Sequence, residues 1–341
     1  MRQLLNTLYI TTPDSHLRKD GTNIVIMKGQ EKLGSVPIHN IQQVVCFNQV
    51  GATPGVMGLC CDNNVSLTFM TPTGRFVATV NGGVKGNVLL RRAQFRLADD
   101  PNASITISRN MIQGKLLNCR FLLKKGLSNH PESGGQVTEA IRVLTESLDE
   151  VGEIDNAGQL RSIEGNAARS YFHAIDSLIL KDHDHFFMKE RSRRPPKDRF
   201  NALLSFLYAL LTNDVSSSLQ SVGLDPYVGF LHTDRPGRPS LALDLMEEFR
   251  PLADRVALRV VNLGMVSSDG FLHDEGGGFM MDDGARRIVI SEWQEMKNRV
   301  FHHPVIDEEV SLGLVPFIQS NLLARCIRGE LDGYPPFVYR R

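Results

Sequence analysis

The sequence lacks the long apolar runs that membrane-spanning helices need. Of its 341 residues, 42% are hydrophobic, but apolar runs such as residues 202–211 stay far below a bilayer span, which takes about 20 residues. The first 21 residues contain no apolar segment followed by a small-residue cleavage site, so no signal peptide is predicted. We therefore expect a soluble, cytoplasmic protein with no membrane partner.

Paired cysteines are also missing. The five cysteines are odd in number and form no CxxC motif, which argues against both a disulfide framework and a structural zinc site. Cys60 and Cys61 lie in an apolar stretch, where buried, reduced thiols are expected.

Acidic residues are absent from two long stretches, although the formal net charge is zero. Residues 63–97 and residues 101–131 each carry five lysines or arginines and no acid, and residues 132–164 then carry eight acids. This asymmetry fits one face for polyanions and another for a metal or a partner. Solvated helix faces are the alternative interpretation.

The length is typical of about two domains. In the first 80 residues, short segments rich in Val, Ile, Thr and Phe alternate with turn residues, which predicts strands with one helix at residues 53–61. From there to residue 250, apolar residues recur at helical spacing. The prediction is an α+β fold: a small N-terminal β-rich domain at residues 1–83 and a larger, mainly α-helical catalytic domain at residues 84–341.

Two stretches interrupt the helical pattern. Residues 188–199 form a basic, proline-containing loop, and residues 266–284 are rich in glycine and aspartate, which predicts a hairpin or loop. The segments around His183 and His302 also draw attention as possible metal ligands. We expect the first to be a solvated surface segment and the second to be a helix end.

The first candidate for chemistry is Glu164, on a predicted helix beside the small residues Gly165 and Ala168. Small residues let another element approach closely, and a carboxylate in such a place is costly unless it is paired or binds a metal. The alternative is an exposed glutamate that pairs with Arg161 or Arg169.

The second candidate is His232, which ends an apolar run and enters a loop. A histidine at such a position is either a ligand or a structural residue.

The third candidate is the predicted helix after Pro239, which Ser240 can cap. Asp244 and Glu247 are three residues apart and share a face, with Arg250 one turn further. A simple amphipathic surface helix is the alternative.

Taken together, two carboxylates and one imidazole with open positions suit manganese or magnesium better than structural zinc. Such a site can polarise a phosphodiester for an in-line displacement. Arg250 nearby would neutralise charge on the phosphate.

Four short motifs carry a resemblance to a known family. They are Glu164-Gly-x-Ala-Ala-Arg169-x-Tyr171, Arg194-Pro-Pro-Lys-Asp198-x-x-Asn201, Gly229-x-x-His232 and Asp244-Leu-x-Glu247-x-x-Arg250-Pro251. In this order, and over the whole chain, they resemble the CRISPR-associated integrase and endonuclease of the spacer-acquisition (adaptation) complex. The residues of these motifs are most similar to those of type I-C systems.

The resemblance implies that Glu164, His232 and Glu247 bind Mn²⁺ or Mg²⁺, and that Asp244 and Arg250 belong to the same catalytic site. Relatives often have aspartate at the position of Glu247, so contact of Asp244 with the metal stays open. The resemblance also implies a homodimer that joins a small adaptation partner in a heterohexamer. The substrates would be double-stranded DNA, donor and repeat, with donor 3′ hydroxyls attacking the repeat.

Candidate DNA contacts come from the basic stretches and the basic loop: Arg91, Arg92, Arg193, Arg194, Lys197 and Arg199. Two other functions stay open, a nuclease that repairs branched DNA and a non-catalytic DNA-binding scaffold.

The C-terminal tail carries Tyr334, Phe337 and Tyr339 around two prolines. These rings are expected either to pack on their own helical domain or to dock on the small partner.

Overall fold

The computed structural model describes residues 6–47, 49–71, 76–80, 82, 88–273 and 276–339. The chain divides into two compact units, Met1–Gly86 and Asn87–Arg341. The predicted domain boundary between residues 83 and 84 lies outside the described residues and stays a prediction. Within the described ranges, no helix is long and apolar enough to cross a membrane.

In the N-terminal unit, the described strands form two four-stranded sheets and flank one helix. The first sheet has the order β1 (Asn6–Ile10), β5 (Ile41–Cys46), β7 (Ser66–Met70) and β8 (Phe76–Val80), parallel except for the last pair. The second has the order β4 (Glu31–Pro37), β3 (Asn23–Lys28), β2 (Ser15–Asp20) and β6 (Gly51–Ala52). Helix α1 spans Pro54–Asp62.

Both sheets and α1 bury apolar side chains in one core. Leu17 comes from the second sheet, Val44 and Leu67 from the first, and Val56 from α1, and all four are buried. The sequence analysis missed β2 because only its first and third residues face inward, while its last three are charged and exposed.

The C-terminal unit is mainly helical. Its helices are α2 (Val88–Asp99), α3 (Pro101–Asn129), α4 (Gly134–Val151), α5 (Ala157–Asp176), α6 (Arg199–Ser221), α7 (Ser240–Met246), α8 (Arg250–Asn262), α9 (Asp283–Asn298) and α10 (Val315–Ile327). Two hairpins pair β9 (Phe271–His273) with β10 (Phe279–Met281) and β11 (Val300–His303) with β12 (Glu308–Ser311). The predicted α+β fold, β-rich and then mainly helical, is confirmed.

Helix α3 is the longest of the described helices, with 29 residues. It begins sharply because the Asp100 carboxylate accepts hydrogen bonds from the backbone N–H groups of Asn102 and Ala103, and Pro101 is preorganised for the first turn. It packs against α4, α5, α8 and the short 3₁₀ turn Glu247–Phe249. This position makes α3 the scaffold on which the other segments of the site are assembled.

Several local predictions are wrong. Ser240 starts α7 instead of capping it, and its hydroxyl donates to the carbonyl of Thr233 at 3.3 Å. Helix α7 is no surface helix, because six of its seven residues are buried. Gly165 is exposed, and a Cβ there would meet no described atom within 4 Å, so it gives no close approach. His302 lies in β11 and not at a helix end.

Helices α8 and α9 were also missed. Helix α9 carries ordinary signals, because Asp282 caps its start and Val289, Ile290 and Trp293 lie on its buried face. The glycine- and aspartate-rich stretch before it forms the β9–β10 hairpin, in agreement with the prediction.

The C-terminal tail packs on its own unit. Tyr334, Phe337 and Tyr339 are all buried. Asn118 on α3 donates to the carbonyl of Phe337 at 2.9 Å and accepts the N–H of Tyr339 at 2.7 Å. A Cβ at Gly114 would lie 2.9 Å from Pro336, so α3 needs a glycine here. Because the three rings are already buried, the prediction that they dock on a partner is wrong.

Candidate functional site

Five segments of the C-terminal unit bring the predicted site residues together. Helix α5 carries Glu164, the loop after α6 carries His232, and α7 carries Asp244. The 3₁₀ turn that follows begins with Glu247, and α8 begins with Arg250.

A lysine joins the two glutamates. The ammonium of Lys115 on α3 contacts Oε1 of Glu164 and lies 2.6 Å from Oε2 of Glu247. Lys115 and Glu247 are buried, while Glu164 is half-buried.

Glu247 is held as an anion by two cations. Its other oxygen, Oε1, lies 2.9 Å from the Arg250 guanidinium. Burial opposes ionisation of this carboxyl, but Arg250 and then Lys115 outweigh it and lower the pKa of Glu247 to about 2. The next carboxyl along the chain behaves differently. Burial raises the pKa of Glu248 to about 8, although the N–H of Phe337 stabilises its ionised form.

Asp244 is a buried acceptor for four donors. Its Oδ2 accepts the backbone N–H groups of Phe230 at 2.6 Å and Leu231 at 2.9 Å. Its Oδ1 accepts the backbone N–H of His232 at 3.0 Å and the ring Nδ1 at 2.5 Å. All four lone-pair positions are thereby used. Asp244 therefore positions His232, and its oxygens have no capacity left for a metal.

Gly229 is required by the same contact. A Cβ at this position would lie 2.7 Å from Oδ2 of Asp244 and 2.9 Å from Ser240. Any side chain here would push the histidine loop away from α7.

A buried network lies behind Arg250. Its guanidinium stacks 4.7 Å from the centre of the Tyr208 ring, and Arg191 lies 5.3 Å from the same ring. Asp254 accepts the hydroxyls of Tyr208 at 2.6 Å and Tyr171 at 2.7 Å. Burial raises the pKa of Asp254 to about 6 against the effect of both hydroxyls. These contacts hold Arg250 in place beside Glu247.

A cleft of about 350 Å³ is lined by Glu164, His232 and Glu247. Arg161, Arg235 and Arg238 line it as well. In the part of the chain that the structure describes, none of these three arginines forms an ion pair with an acid. A cleft that contains carboxylates together with uncompensated guanidinium groups suits a phosphodiester.

The donor set fits a hard divalent cation. Glu164 and Glu247 converge on one position, and the hydrogen bond from Nδ1 to Asp244 leaves Nε2 of His232 available. The described residues contain no group of three His, Cys, Asp or Glu side chains close enough to hold a metal. The Lys115 ammonium lies where the carboxylates converge, so a cation would have to replace it there.

The model of the family described as CRISPR associated protein Cas1 matches residues 8–295 of this chain. The chain belongs to the Cas1 family. A relative from Rhodospirillum rubrum, named CRISPR-associated endonuclease Cas1 2, is 45% identical over 347 residues, which cover 100% of both chains.

Two solved structures share the Cas1 fold with this chain. A casposase bound to integration product has a TM-score of 0.85 at 20% identity, and the match covers 98% of this chain and 95% of that chain. A Cas6-RT-Cas1–Cas2 complex has a TM-score of 0.82 at 21% identity, and the match covers 100% of this chain and 37% of that chain.

The six predicted DNA contacts of this Cas1 chain do not line the cleft. Arg193, Arg194, Lys197 and Arg92 are exposed. Three of the six have partners within the protein: Arg91 donates to the carbonyl of Gly223, the exposed Lys197 lies 3.7 Å from Glu190, and Arg199 donates to the carbonyl of Ser268. Arg92, Arg193 and Arg194 are therefore the strongest candidates among the six for DNA contacts.

The sequence analysis missed Lys115 and the cleft arginines. A signal for Lys115 was present, because it follows Ile112 by three residues and precedes Cys119 by four on the buried stripe of α3. A charged residue within an apolar stripe indicates a buried partner of opposite charge. Arg235 and Arg238 gave no such signal, because they lie in an irregular loop.

Proposed function

We propose that this protein is a metal-dependent DNA endonuclease and integrase that inserts short DNA spacers into a CRISPR repeat array. The observation that carries the proposal is the convergence of Glu164 and Glu247 on one cation, in a cleft that His232 and three arginines share. The endonuclease name of its relative, 45% identical over the whole chain, supports the same activity.

Each group has a role in phosphodiester chemistry. Glu164, Glu247 and His232 would hold Mn²⁺ or Mg²⁺, which when bound polarises the phosphodiester and lowers the barrier to attack by a 3′ hydroxyl or water. Arg161, Arg235 and Arg238 bind phosphate oxygens and neutralise their charge. Asp244 accepts Nδ1–H of His232. The lone pair of the ring is therefore on Nε2, the nitrogen that does not contact Asp244. Arg250 keeps Glu247 ionised and in place.

The partners follow from the same proposal. Double-stranded DNA supplies the donor and the repeat, and the protein acts in the cytoplasm as a homodimer. A small adaptation protein bridges two such dimers into a heterohexamer, in a system of type I-C. The fold shared with the chain of the Cas6-RT-Cas1–Cas2 complex supports an assembly of this kind.

Incubation of the purified protein with a short duplex donor and a plasmid that carries a repeat tests the proposal. Mn²⁺ should support cleavage and strand transfer, and EDTA should abolish both. Glu164→Ala, His232→Ala and Glu247→Ala should each lower the rate at least about a hundredfold. Glu153→Ala and His173→Ala, at exposed positions, serve as matched controls and should keep full activity.

A nuclease that repairs branched DNA is the second candidate, because a cleft of carboxylates and arginines suits hydrolysis of any phosphodiester. Metal-dependent cleavage of branched junctions without insertion at the repeat, with the small partner present, would favour it. Absence of any metal-dependent cleavage or strand transfer by the wild-type protein would leave only the non-catalytic DNA-binding scaffold.

A further inference from the structure

Lys115 lies between the two glutamates of the site and has no role in the mechanism above. Its ammonium contacts Glu164 and lies 2.6 Å from Glu247, and its side chain is only 9% exposed. Its buried neighbours on the same helix include Ile112, Leu116 and Cys119. No other carboxylate contacts the ammonium in the described structure, so these two glutamates are its counter-charges.

The charges of this cluster already balance. Glu164 and Glu247 carry two negative charges, and Lys115 and Arg250 carry two positive charges in contact with them. Without Lys115, the two carboxylates would face each other, and only the Arg250 guanidinium beside Glu247 would offset their charge. With Lys115 in place, a divalent cation would add two positive charges to a neutral, largely buried group. Like charges at such distances repel strongly even at a high effective dielectric constant.

We infer that Lys115 is an internal counter-cation that competes with the divalent metal for Glu164 and Glu247, and that phosphate in the cleft relieves this competition. The inference rests on the proposed metal site. The ammonium holds the two carboxylates in position before a metal binds, and it gives up at least one of them when the metal enters.

When the metal is bound, phosphate in the arginine-lined cleft supplies negative charge that offsets the two added positive charges. Metal and DNA therefore bind cooperatively, and Lys115 contributes to the coupling between them. The consequence is a site that stays largely free of metal until DNA is present, which restricts cleavage to the bound substrate.

Calorimetric titration of Mn²⁺ into the full-length protein tests the inference, with and without a duplex oligonucleotide whose 3′ ends are dideoxy-terminated. Lys115→Met should bind Mn²⁺ about tenfold or more tightly than the wild type in the absence of DNA, because one repelling charge is removed. The oligonucleotide should tighten Mn²⁺ binding to the wild type by about tenfold or more, and to the variant by clearly less. A residue with a purely structural role would weaken metal binding when it is replaced.

Lys124→Met is the matched control, since Lys124 is exposed on the same helix. Its affinity for Mn²⁺ should stay within about twofold of the wild type. Lys115→Gln, which keeps a polar group at this position, should change the affinity in the same direction as Lys115→Met. Thermal unfolding in EDTA and in Mn²⁺ gives a second measurement, in which Mn²⁺ should stabilise both Lys115 variants more than the wild type.

Three results would overturn the inference. Equal or weaker Mn²⁺ binding by both Lys115 variants, with normal binding by the wild type, would refute the role of Lys115 and leave the metal site standing. Failure of both variants to fold even in saturating Mn²⁺ would also refute it, because the metal should substitute for the ammonium. No Mn²⁺ binding by any of the proteins, with or without DNA, would remove the proposed metal site itself.

Discussion

His232 meets Asp244 through two of its own donors, the backbone N–H at 3.0 Å and the ring Nδ1 at 2.5 Å, both on Oδ1. This arrangement fixes the loop and the ring at once. Because Oδ2 of Asp244 accepts two further N–H groups, the carboxylate acts as the anchor of the whole loop.

Asp244→Asn should lower the rate of metal-dependent DNA cleavage about 10- to 100-fold, the usual cost of losing the partner that orients a ligand histidine. The amide has one oxygen instead of two, so at least one N–H of the loop loses its acceptor, which costs about 1–3 kcal/mol of stability. Cleavage kinetics and urea unfolding measure the two effects. Asp234→Asn, at an exposed position in the same loop, is the control, and equal rates for the two variants would contradict the prediction.

Stability should depend on pH through Asp254. Burial raises its pKa from 3.8 to about 6 in the folded protein. The folded state therefore binds the proton more tightly, and this contribution to stability is complete below about pH 3.8 and is lost as the pH rises to about 6. Asp254→Asn removes the ionisation. Its free energy of unfolding, minus that of the wild type, should rise by about 1.4 kcal/mol per pH unit across this window.

Urea unfolding at several pH values between about 4 and 7 measures this difference. Asp155→Asn, at an exposed position, should stay within about 0.5 kcal/mol of the wild type throughout. A constant difference for Asp254→Asn over the whole range would show that the pKa of Asp254 is not raised.

DNA binding should depend steeply on salt, with a slope of about −0.9 per neutralised phosphate in a plot of log affinity against log salt concentration. Arg193 and Arg194 are exposed and form no ion pair within the described residues. Arg193→Gln combined with Arg194→Gln should flatten the slope by about two units. Arg235→Gln combined with Arg238→Gln tests in the same way whether the cleft arginines contact phosphates. An unchanged slope for the first pair would move the binding face to Arg91 and Arg92.

The tail should contribute to stability and not to partner binding. Phe337 is fully buried and lies between Phe249 and Phe301, with ring centres 5.3 Å and 5.6 Å away. Phe337→Ala should therefore cost about 3–5 kcal/mol of unfolding free energy, which urea unfolding can measure. Phe95→Ala, where the side chain is 39% exposed, is the control and should cost less than about 1 kcal/mol. If Phe337→Ala costs no more unfolding free energy than Phe95→Ala and yet abolishes binding of the small partner, the docking hypothesis is restored.

Residue types and local periodicity were enough to place most elements and three of the site residues. Helical spacing on α3, α5 and α6 and turn residues between the early strands are local signals, because backbone periodicity decides which residues share a face. Glu164, His232 and Glu247 could be predicted because each lies in a short motif. Local signals failed where a polar strand such as β2 buries only two side chains. They failed also at Ser240, whose hydroxyl donates to the carbonyl of Thr233 and does not cap the helix.

The partners of those residues depend on packing between helices that lie far apart along the chain. Lys115 is on α3, Glu164 on α5 and Glu247 after α7, so the ion cluster exists only when these three elements pack together. The same holds for Asp254, which accepts hydroxyls from α5 and α6. A rotation of one residue about a helix axis turns a side chain by about 100°, which is enough to exchange one partner for another. Sequence motifs therefore identify the candidate site residues, whereas the helix packing determines that a lysine lies between the two glutamates.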